Sequence, residues 1–257
     1  MIISDQAPLL QLRNVNLSYD THQGRVQATD KISFDIFLKE RFVLIGPSGC
    51  GKSSLLKAVA GFIHPSEGSI KLKGEEIKGP GPDRMMVFQE FDQLLPWKTV
   101  VENVMFPLVA TRRFEKSEAH HRAMACLSKV QLAKYADNYC HTLSGGMKQR
   151  VAIARGMTME PDILLMDEPF AALDAMTRES MQDELLALCK EMNFAVMFVT
   201  HSISEAVKIG TRILMLSANP GRVKGVVLTN SATGSEATDL VHEIGQSLFG
   251  NAGGRCD

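Results

Sequence analysis

The chain has 257 residues, 45% of them hydrophobic, which is enough to bury the core of one large α/β domain or two small ones. The formal net charge of −1 gives no electrostatic reason to expect nucleic-acid binding, because that binding requires a basic surface. The five cysteines are scattered and odd in number, which argues against a disulfide framework or a zinc site and favours a reducing compartment.

The first third of the chain is predicted to contain several strands followed by one helix. Residues 10–19 alternate between apolar and polar side chains and then lose the pattern, which predicts an edge strand. The cleaner alternation at residues 32–36 predicts a half-buried antiparallel strand. Residues 42–45 are a short apolar run before a glycine loop, as expected of a buried parallel strand. Helical spacing begins at Lys52, and Gly61 stands where a C-terminal cap would.

Residues 96–139 read mostly as helix, and alternating helices and strands follow them. The predicted series is a helix from Ser144, a strand at 163–166, a helix at 174–192, a strand at 194–200, a helix at 202–208 and a strand at 212–216. This order predicts an α/β fold with a parallel-sheet core, an antiparallel β annex and an inserted α-helical subdomain at about residues 90–155.

The last part of the chain differs in composition from the rest. From residue 231 onward Gly, Ser, Ala and Thr dominate, and only residues 240–249 predict a short helix. We therefore expect one domain at residues 1–230 and a flexible tail at residues 231–257. The first ten residues lack the features of a signal peptide, and no segment approaches about 18 uninterrupted apolar residues. We expect a cytosolic protein that reaches a membrane only through a partner.

The most informative motif is a G-x-x-x-x-G-K-S sequence between a predicted strand and a predicted helix. It consists of Gly46, Pro47, Ser48, Gly49, Cys50, Gly51, Lys52 and Ser53, and Ser54 follows as a further binding candidate. The glycines let the backbone curl until consecutive N–H groups point at phosphate oxygens, which the dipole of the next helix also attracts. Lys52 would reach the β- and γ-phosphates, and Ser53 would offer a hydroxyl to Mg²⁺. The motif predicts a phosphate-loop NTPase core.

A second motif places two carboxylates at the end of an apolar strand. Asp167 and Glu168 follow residues 163–166, and ligands bind at the C-terminal ends of strands in open α/β sheets. Asp167 would hold the Mg²⁺ shell, and Glu168 would orient the attacking water, as phosphoryl transfer requires. An apolar strand that ends in Asp-Glu is common by itself, so this assignment depends on its pairing with the phosphate loop.

Between these motifs lies the sequence LSGGMKQR at residues 143–150. It closely resembles the signature motif of ATP-binding-cassette (ABC) ATPases, which other phosphate-loop ATPases lack. Ser144 would cap a helix, and Gly145 and Gly146 would expose backbone N–H groups at its start. A purely structural capped helix would leave the helix-propensity penalty of two glycines unexplained.

The resemblance to the ABC family covers residues 10 to about 225 and implies further site residues. Gln89 resembles the glutamine that senses Mg²⁺ and the transporter partner, and His201 resembles the switch histidine that contacts the γ-phosphate. Asp174 ends a sequence like the loop through which two subunits communicate, and Tyr19 resembles the aromatic residue that stacks on adenine. In this family two cassettes enclose two ATP molecules head to tail, which implies that the chain hydrolyses ATP as a dimer with a second copy of itself.

The same resemblance implies the ATP-hydrolysing subunit of an importer. Residues 54–142 contain no long coiled coil of the repair or chromosome type, and the sequence has neither a second phosphate loop nor a fused membrane domain. The implied partners are a separate transmembrane permease and, indirectly, a periplasmic or extracellular solute-binding protein, which places the chain at the cytoplasmic face of the inner membrane. Residues 81–89, 94–97 and 219–222 resemble the nitrate/sulfonate/taurine group, so a small anion is the expected solute. The alternatives are a cassette for another solute and a soluble ABC ATPase without a transport role.

Two expectations concern side chains outside these roles. Phe91, Leu94, Leu95 and Trp97 lie in a loop-like stretch, which predicts a groove for a short permease helix, with burial in the core as the alternative. Cys50 stands beside a lysine at a helix N-terminus, which predicts a reactive thiolate, with a buried small side chain as the alternative.

Overall fold

Residues 6–21, 24–89, 93–229 and 234–249 are described by the computed structural model of the chain. The strands, in chain order, are β1 (Leu10–Thr21), β2 (Gly24–Ile36), β3 (Arg41–Ile45), β4 (Glu67–Leu72), β5 (Glu75–Glu76), β6 (Arg84–Val87), β7 (Ile163–Asp167), β8 (Ala195–Thr200), β9 (Arg212–Leu216) and β10 (Val223–Leu228). The helices are α1 (Lys52–Val59), α2 (Val100–Ala110), α3 (Lys116–Lys129), α4 (Gly145–Met157), α5 (Ala175–Glu191), α6 (Ile203–Ile209) and α7 (Ser235–Phe249). The chain divides into a first unit, Met1–Gly81 with Ala195–Asp257, and a second unit, Pro82–Phe194.

An antiparallel sheet in the first unit has the strand order β2-β1-β4-β5. Strand β1 pairs with both β2 and β4, with Leu10 opposite Ile36 on one side and Leu72 on the other. The prediction that β1 is an edge strand is therefore wrong. Its alternation fades because the register shifts between Leu12 and Val15, and such irregularities break the period of two. The alternation predicted for β2 is confirmed, since every second residue from Ile32 is buried.

The first unit also contains the strand order β10-β9-β3-β8. Strand β3 runs parallel to β8 and β9, and its four apolar residues are fully buried, as the sequence predicts. Strand β10 pairs antiparallel with β9. Helix α1 packs against β8, and Gly61 follows it with a φ of +83°, the left-handed conformation expected of a C-terminal cap glycine.

In the second unit β6 pairs parallel with β7, and helices α2, α3 and α4 pack against one another. Helix α2 begins at a capping box in which Thr99 and Glu102 exchange side-chain-to-backbone hydrogen bonds. Helix α4 is capped by Ser144 and α5 by Asp174, and α4 also contacts α5. This helical segment agrees with the inserted α-helical part that the sequence order predicts.

Helix α7 lies within the predicted tail and begins five residues earlier than the short helix expected there. It packs against α6 in the first unit and buries Ile244 and Leu248. Lys224 Nζ donates a hydrogen bond of 3.3 Å to the carbonyl of Leu248 near the end of the helix. The rest of the predicted tail, residues 231–233 and 250–257, lies outside the described residues. Within the described ranges, none of the helices combines the length and hydropathy needed to cross a bilayer.

Candidate active site

The phosphate loop in the first unit connects β3 to α1. Gly49 and Gly51 have φ values of +78° and +87°, a backbone conformation that glycine adopts without strain. A Cβ on Gly51 would lie 2.6 Å from the Thr29 Cγ2 and 2.9 Å from the Ala28 carbonyl oxygen, so the loop also needs glycine for close packing. Gly51 is the N-cap of α1, and no side chain caps this end. The first N–H groups of α1 therefore face a position that suits an anion.

Lys52 reaches back into the curl of the phosphate loop. Its Nζ donates hydrogen bonds of 2.8 Å to the Gly46 carbonyl and 3.0 Å to the Pro47 carbonyl. The side chain is only 6% exposed, although its ammonium is charged. The loop thus holds a cation against its own carbonyl groups, where a phosphate oxygen would be a stronger acceptor.

Cys50 is fully buried, which contradicts the predicted reactive thiolate. Burial raises the pKa of the Cys50 thiol, and this effect outweighs the opposite effect of the nearby Lys52 ammonium. A Cβ on Gly46 would lie 2.8 Å from the Cys50 Sγ, and one on Gly221 would lie 2.1 Å from the Cys50 carbonyl oxygen. The sulfur therefore packs under the loop, and Gly221 is needed for a close backbone approach that the sequence analysis missed.

His201 follows a strand that pairs with the strand before the phosphate loop. Ile45 at the end of β3 lies opposite Thr200 at the end of β8, so Gly46 and His201 leave the sheet at the same edge. The His201 side chain is exposed. At the start of α6 the Ser202 hydroxyl caps the helix by accepting the Glu205 N–H at 3.3 Å. The Glu205 carboxylate accepts a hydrogen bond from the Thr200 hydroxyl.

Tyr19 lies on β1 in the same unit, paired with Val26 of β2, and 38% of its surface is exposed. Its ring is therefore available for a stacking contact of the kind the family resemblance implies. Ser53 and Ser54 lie in the first turn of α1 and are partly exposed.

The second unit carries the two carboxylates. Val87 at the end of β6 lies opposite Met166 of β7, so Gln89 and Asp167 leave these parallel strands at one edge. Gln89 is exposed, whereas Asp167 and Glu168 are half-buried. Glu168 has a φ of +44°, a conformation that costs a residue with a Cβ on the order of 1 kcal/mol or more and is enriched at functional sites.

The turn that follows Glu168 is held by Arg178 on α5. The guanidinium donates to the carbonyl of Phe170 at 3.2 Å and to that of Leu173 at 2.8 Å. The Ala171 N–H donates to the Glu168 carbonyl at 3.1 Å. These bonds fix the backbone on which Glu168 stands.

The signature segment forms the N-terminus of α4. Ser144 is exposed, and its hydroxyl accepts the Met147 N–H at 3.4 Å. A Cβ on Gly146 would lie 2.8 Å from the Thr177 Cγ2, so this glycine lets α4 approach α5. Asp174 caps α5 by accepting the Thr177 N–H at 3.1 Å, and hydrogen bonds from Thr177 lower the pKa of its carboxyl. The Asp174 side chain nevertheless faces solvent.

The predicted site residues therefore fall on both units. The first unit contains Tyr19, the phosphate loop and His201, and the second contains Gln89, the signature segment, Asp167, Glu168 and Asp174. Within each unit the chemical groups lie at strand ends or at a helix N-terminus, where open α/β sheets bind phosphorylated ligands. This arrangement defines a phosphate-loop ATPase of the α/β class.

Comparison with known proteins gives the family. The family described as "ABC transporter" matches residues 29–171. The taurine import ATP-binding protein TauB of Rhizobium johnstonii is 46% identical over 216 residues, which cover 84% of this chain and 82% of that protein. The bicarbonate transport ATP-binding protein CmpD of Synechococcus elongatus is 41% identical over 223 residues, which cover 86% and 80%.

A solved dimeric structure of the ATP-binding cassette MJ0796, in a post-hydrolysis state with ADP and Pi, superimposes with a TM-score of 0.76 and 32% identity. The match covers 86% of this chain and 99% of that one. The chain belongs to the ABC transporter family and is an ABC ATPase.

Proposed function

We propose that this chain is the ATP-hydrolysing subunit of an ABC importer and works as a dimer on a separate permease. The observation that supports its chemistry is the register of the parallel strands. Ile45 pairs with Thr200, so the phosphate loop and His201 follow neighbouring strands at the same edge. Val87 pairs with Met166, so Gln89 and Asp167 lie at the ends of neighbouring strands in the second unit. The import proteins among its relatives support the transport role.

In this proposal the phosphates of ATP bind the backbone N–H groups of the phosphate loop, the first turn of α1 and Lys52. The candidate Mg²⁺ ligands are Ser53, Gln89 and Asp167, all of which offer the hard oxygen donors that this ion prefers. Bound Mg²⁺ would neutralise charge on the β- and γ-phosphates. Glu168 orients the attacking water, and His201 contacts the γ-phosphate from its position beside the loop.

A second copy completes each site. The chain carries one phosphate loop and one signature segment. We place the N-terminus of α4 of one copy, with Ser144, Gly145 and Gly146, against the γ-phosphate bound by the other. No acidic residue stands in the first turn of α4, so its positive dipole end is not neutralised there. Asp174 would contact the partner copy through its solvent-facing carboxylate.

The permease surface proposed here differs from the one predicted from the sequence. Leu94 is only 4% exposed, so the prediction that it lines a docking groove is wrong, and Phe91 lies outside the described residues. The second unit instead has an open cavity of about 400 Å³ along α2 and the start of α3, lined by Lys98, Glu102, Met105, Phe106, Val109, Ala110 and Lys116. Phe106 and Val109 are 44% and 45% exposed.

This cavity suits an amphipathic permease helix. The apolar side chains that line it would receive the apolar face of the helix, and Lys98 and Lys116, which also line it, would pair with acidic residues. Trp97, next in sequence to Lys98, is 70% exposed and is a further apolar side chain that the helix could contact. Through this contact the chain would be held at the cytoplasmic face of the inner membrane as a peripheral subunit.

The proposed solute is a small anion of the nitrate, sulfonate or taurine kind, carried to the permease by a periplasmic or extracellular binding protein. The support is the similarity to import proteins, because an ATPase subunit of this type does not touch the solute. A cassette for another solute, or a soluble ABC ATPase without a permease, is the second candidate.

Reconstitution tests the proposed function. A candidate permease is reconstituted in proteoliposomes with its binding protein on one side of the membrane and this chain with ATP on the other. We expect ATP-dependent uptake of a small anion that Lys52→Ala abolishes. ATP hydrolysis without any association with a permease would favour the soluble alternative.

A further inference from the structure

Arg155 stands in the last turn of α4, at the opposite end of this helix from the signature segment. Its side chain is partly buried, and this burial lowers the pKa of its guanidinium. In the described part of the chain no carboxylate pairs with it. Removing a guanidinium from water without a counter-charge is costly, so its hydrogen-bond partners must account for its position.

Those partners are two oxygens of a single residue, Gln93. Arg155 Nη1 donates to the Gln93 carbonyl oxygen at 2.7 Å, and Nη2 lies 3.4 Å from the Gln93 Oε1. An arginine that only capped the end of α4 would bond the last carbonyls of that helix. Arg155 bonds the segment after Gln89 instead.

Gln93 in turn makes two hydrogen bonds to the backbone of Phe88, the residue before Gln89. Its Nε2 donates to the Phe88 carbonyl at 2.8 Å, and its Oε1 accepts the Phe88 N–H at 3.2 Å. The side-chain amide therefore satisfies both backbone groups of Phe88, much as a neighbouring strand would. The position of the Gln89 backbone is thus set by Gln93, and the position of Gln93 by Arg155.

A second contact ties the next part of this segment to the approach to the signature. Asn103, fully buried on α2, accepts the Leu95 N–H at 2.8 Å and donates to the Leu95 carbonyl at 3.1 Å. The Asn103 Nδ2 also lies 3.2 Å from the Sγ of Cys140, four residues before Ser144. Phe88 and Gln93 are therefore tied to the C-terminal end of α4, and Leu95 is tied through Asn103 to Cys140, shortly before its N-terminus.

We propose that Arg155 is a positioning residue that, through Gln93, holds Gln89 in register with the signature end of α4. Ten residues separate Gly145 from Arg155, about 15 Å along a rigid helix. A movement of the Gln89 segment, such as one caused by a permease, would then be transmitted to Ser144 and Gly146. This inference rests on the proposed role of Gln89.

Hydrogen exchange of the full-length protein tests the physical contact directly. Arg155→Met should raise amide exchange in the peptide that contains Phe88 and Gln89 by at least about tenfold, because opening of that segment then needs fewer bonds to break. Exchange in β3 should stay unchanged. The matched control is Arg41→Met, because the Arg41 Nε also donates to a backbone carbonyl, that of Ile209 at 2.7 Å, but in the first unit. Unchanged exchange at Phe88 in Arg155→Met would overturn the proposal that Arg155 positions this segment.

Kinetics of the same variants test the functional part. Arg155→Met should lower kcat about tenfold with the KM for ATP within about twofold, since a misplaced group costs rate more than binding. Arg155→Lys, which retains one donor to Gln93, should recover part of the loss. Adding Arg155→Met to Gln89→Ala should cause no further loss, because both changes remove the same contribution.

The outcomes separate the two claims. If Gln89→Ala itself turns over ATP like the wild type, the proposed role of Gln89 is wrong, whatever Arg155 does. If Gln89→Ala is slow but Arg155→Met is as fast as Arg41→Met, or if the losses multiply in the double variant, the positioning role of Arg155 is wrong. Should Arg155→Met fold poorly, Gln93→Ala replaces it with the same expectations, because Gln93 is only half-buried.

Discussion

At the scale of single residues, Glu168 and Cys50 show what an environment does to a side chain. Glu168 stands on a strained backbone that the bonds of Arg178 to Phe170 and Leu173 hold in place. Cys50 lies two residues from Lys52, yet burial decides its protonation. In both cases the surrounding structure, and not the residue type alone, sets the chemistry.

Glu168→Gln should retain ATP binding and lose nearly all turnover, at least about 100-fold, because the amide cannot orient and deprotonate the attacking water. A stable ATP-bound dimer should accumulate. Steady-state hydrolysis and size-exclusion chromatography with Mg-ATP measure both effects. Glu160→Gln, which changes an exposed carboxylate in the same unit, is the control. A wild-type rate in Glu168→Gln would remove this residue from the mechanism.

Cys50 should resist maleimide at pH 7. Burial raises its pKa, so the thiolate fraction at this pH is below that of an ordinary cysteine and grows only as the pH rises towards the raised value. Wild type and Cys50→Ala should therefore lose activity at equal rates, with any loss coming from other cysteines. Rapid inactivation of the wild type alone, prevented by Mg-ATP, would contradict the buried thiol.

At the scale of elements, the sequence predicts what is local and misses what other segments decide. The phosphate loop, the cap at Ser144 and the buried strand β3 are visible in consecutive residues. The internal position of β1 is not, because its second neighbour, β4, comes much later in the chain, with Leu10 paired to Leu72. The burial of Leu94 is likewise hidden, since its loop-like sequence gives no sign of the side chains that cover it.

Phe106→Asp on α2 should spare basal hydrolysis by the isolated chain and abolish co-purification with the permease, because a charge would enter among the apolar side chains that line the docking cavity. Phe249→Asp, at an exposed aromatic position on α7, is the control. Leu94→Asp should instead destabilise the fold, since Leu94 is buried. Normal complex formation by Phe106→Asp would rule out this surface.

Helix α7 should contribute to stability rather than to chemistry. Ile244→Asp places a charge at a fully buried position against α6 and should lower the free energy of unfolding by about 2–4 kcal/mol. Hydrolysis at a temperature where the variant is folded should stay within about twofold, a difference of ~0.4 kcal/mol in the barrier. Urea unfolding of Ile244→Asp beside exposed Glu243→Gln checks this. Equal midpoints would mean that α7 does not stabilise the fold.

At the scale of the whole molecule, the order of motifs predicts the class of fold correctly, and it supplies the candidate site residues as a prediction. Phosphate loop, signature and strand-end carboxylates occupy fixed places in an α/β chain, so finding them in order locates the core and the helical segment. The Arg155–Gln93 contact and the approach of Gly221 to Cys50 join segments more than 60 residues apart and leave no local pattern. They could be found only in three dimensions.

The central claim is that ATP is hydrolysed at sites that two copies of the chain build together. The most direct test is the rate of ATP hydrolysis per chain as a function of chain concentration, with Lys52→Ala as the blank. If the signature end of α4 must come from a second copy, the rate per chain rises with concentration and approaches a plateau as dimers form. A rate per chain that stays constant down to concentrations at which the protein is monomeric would contradict the account.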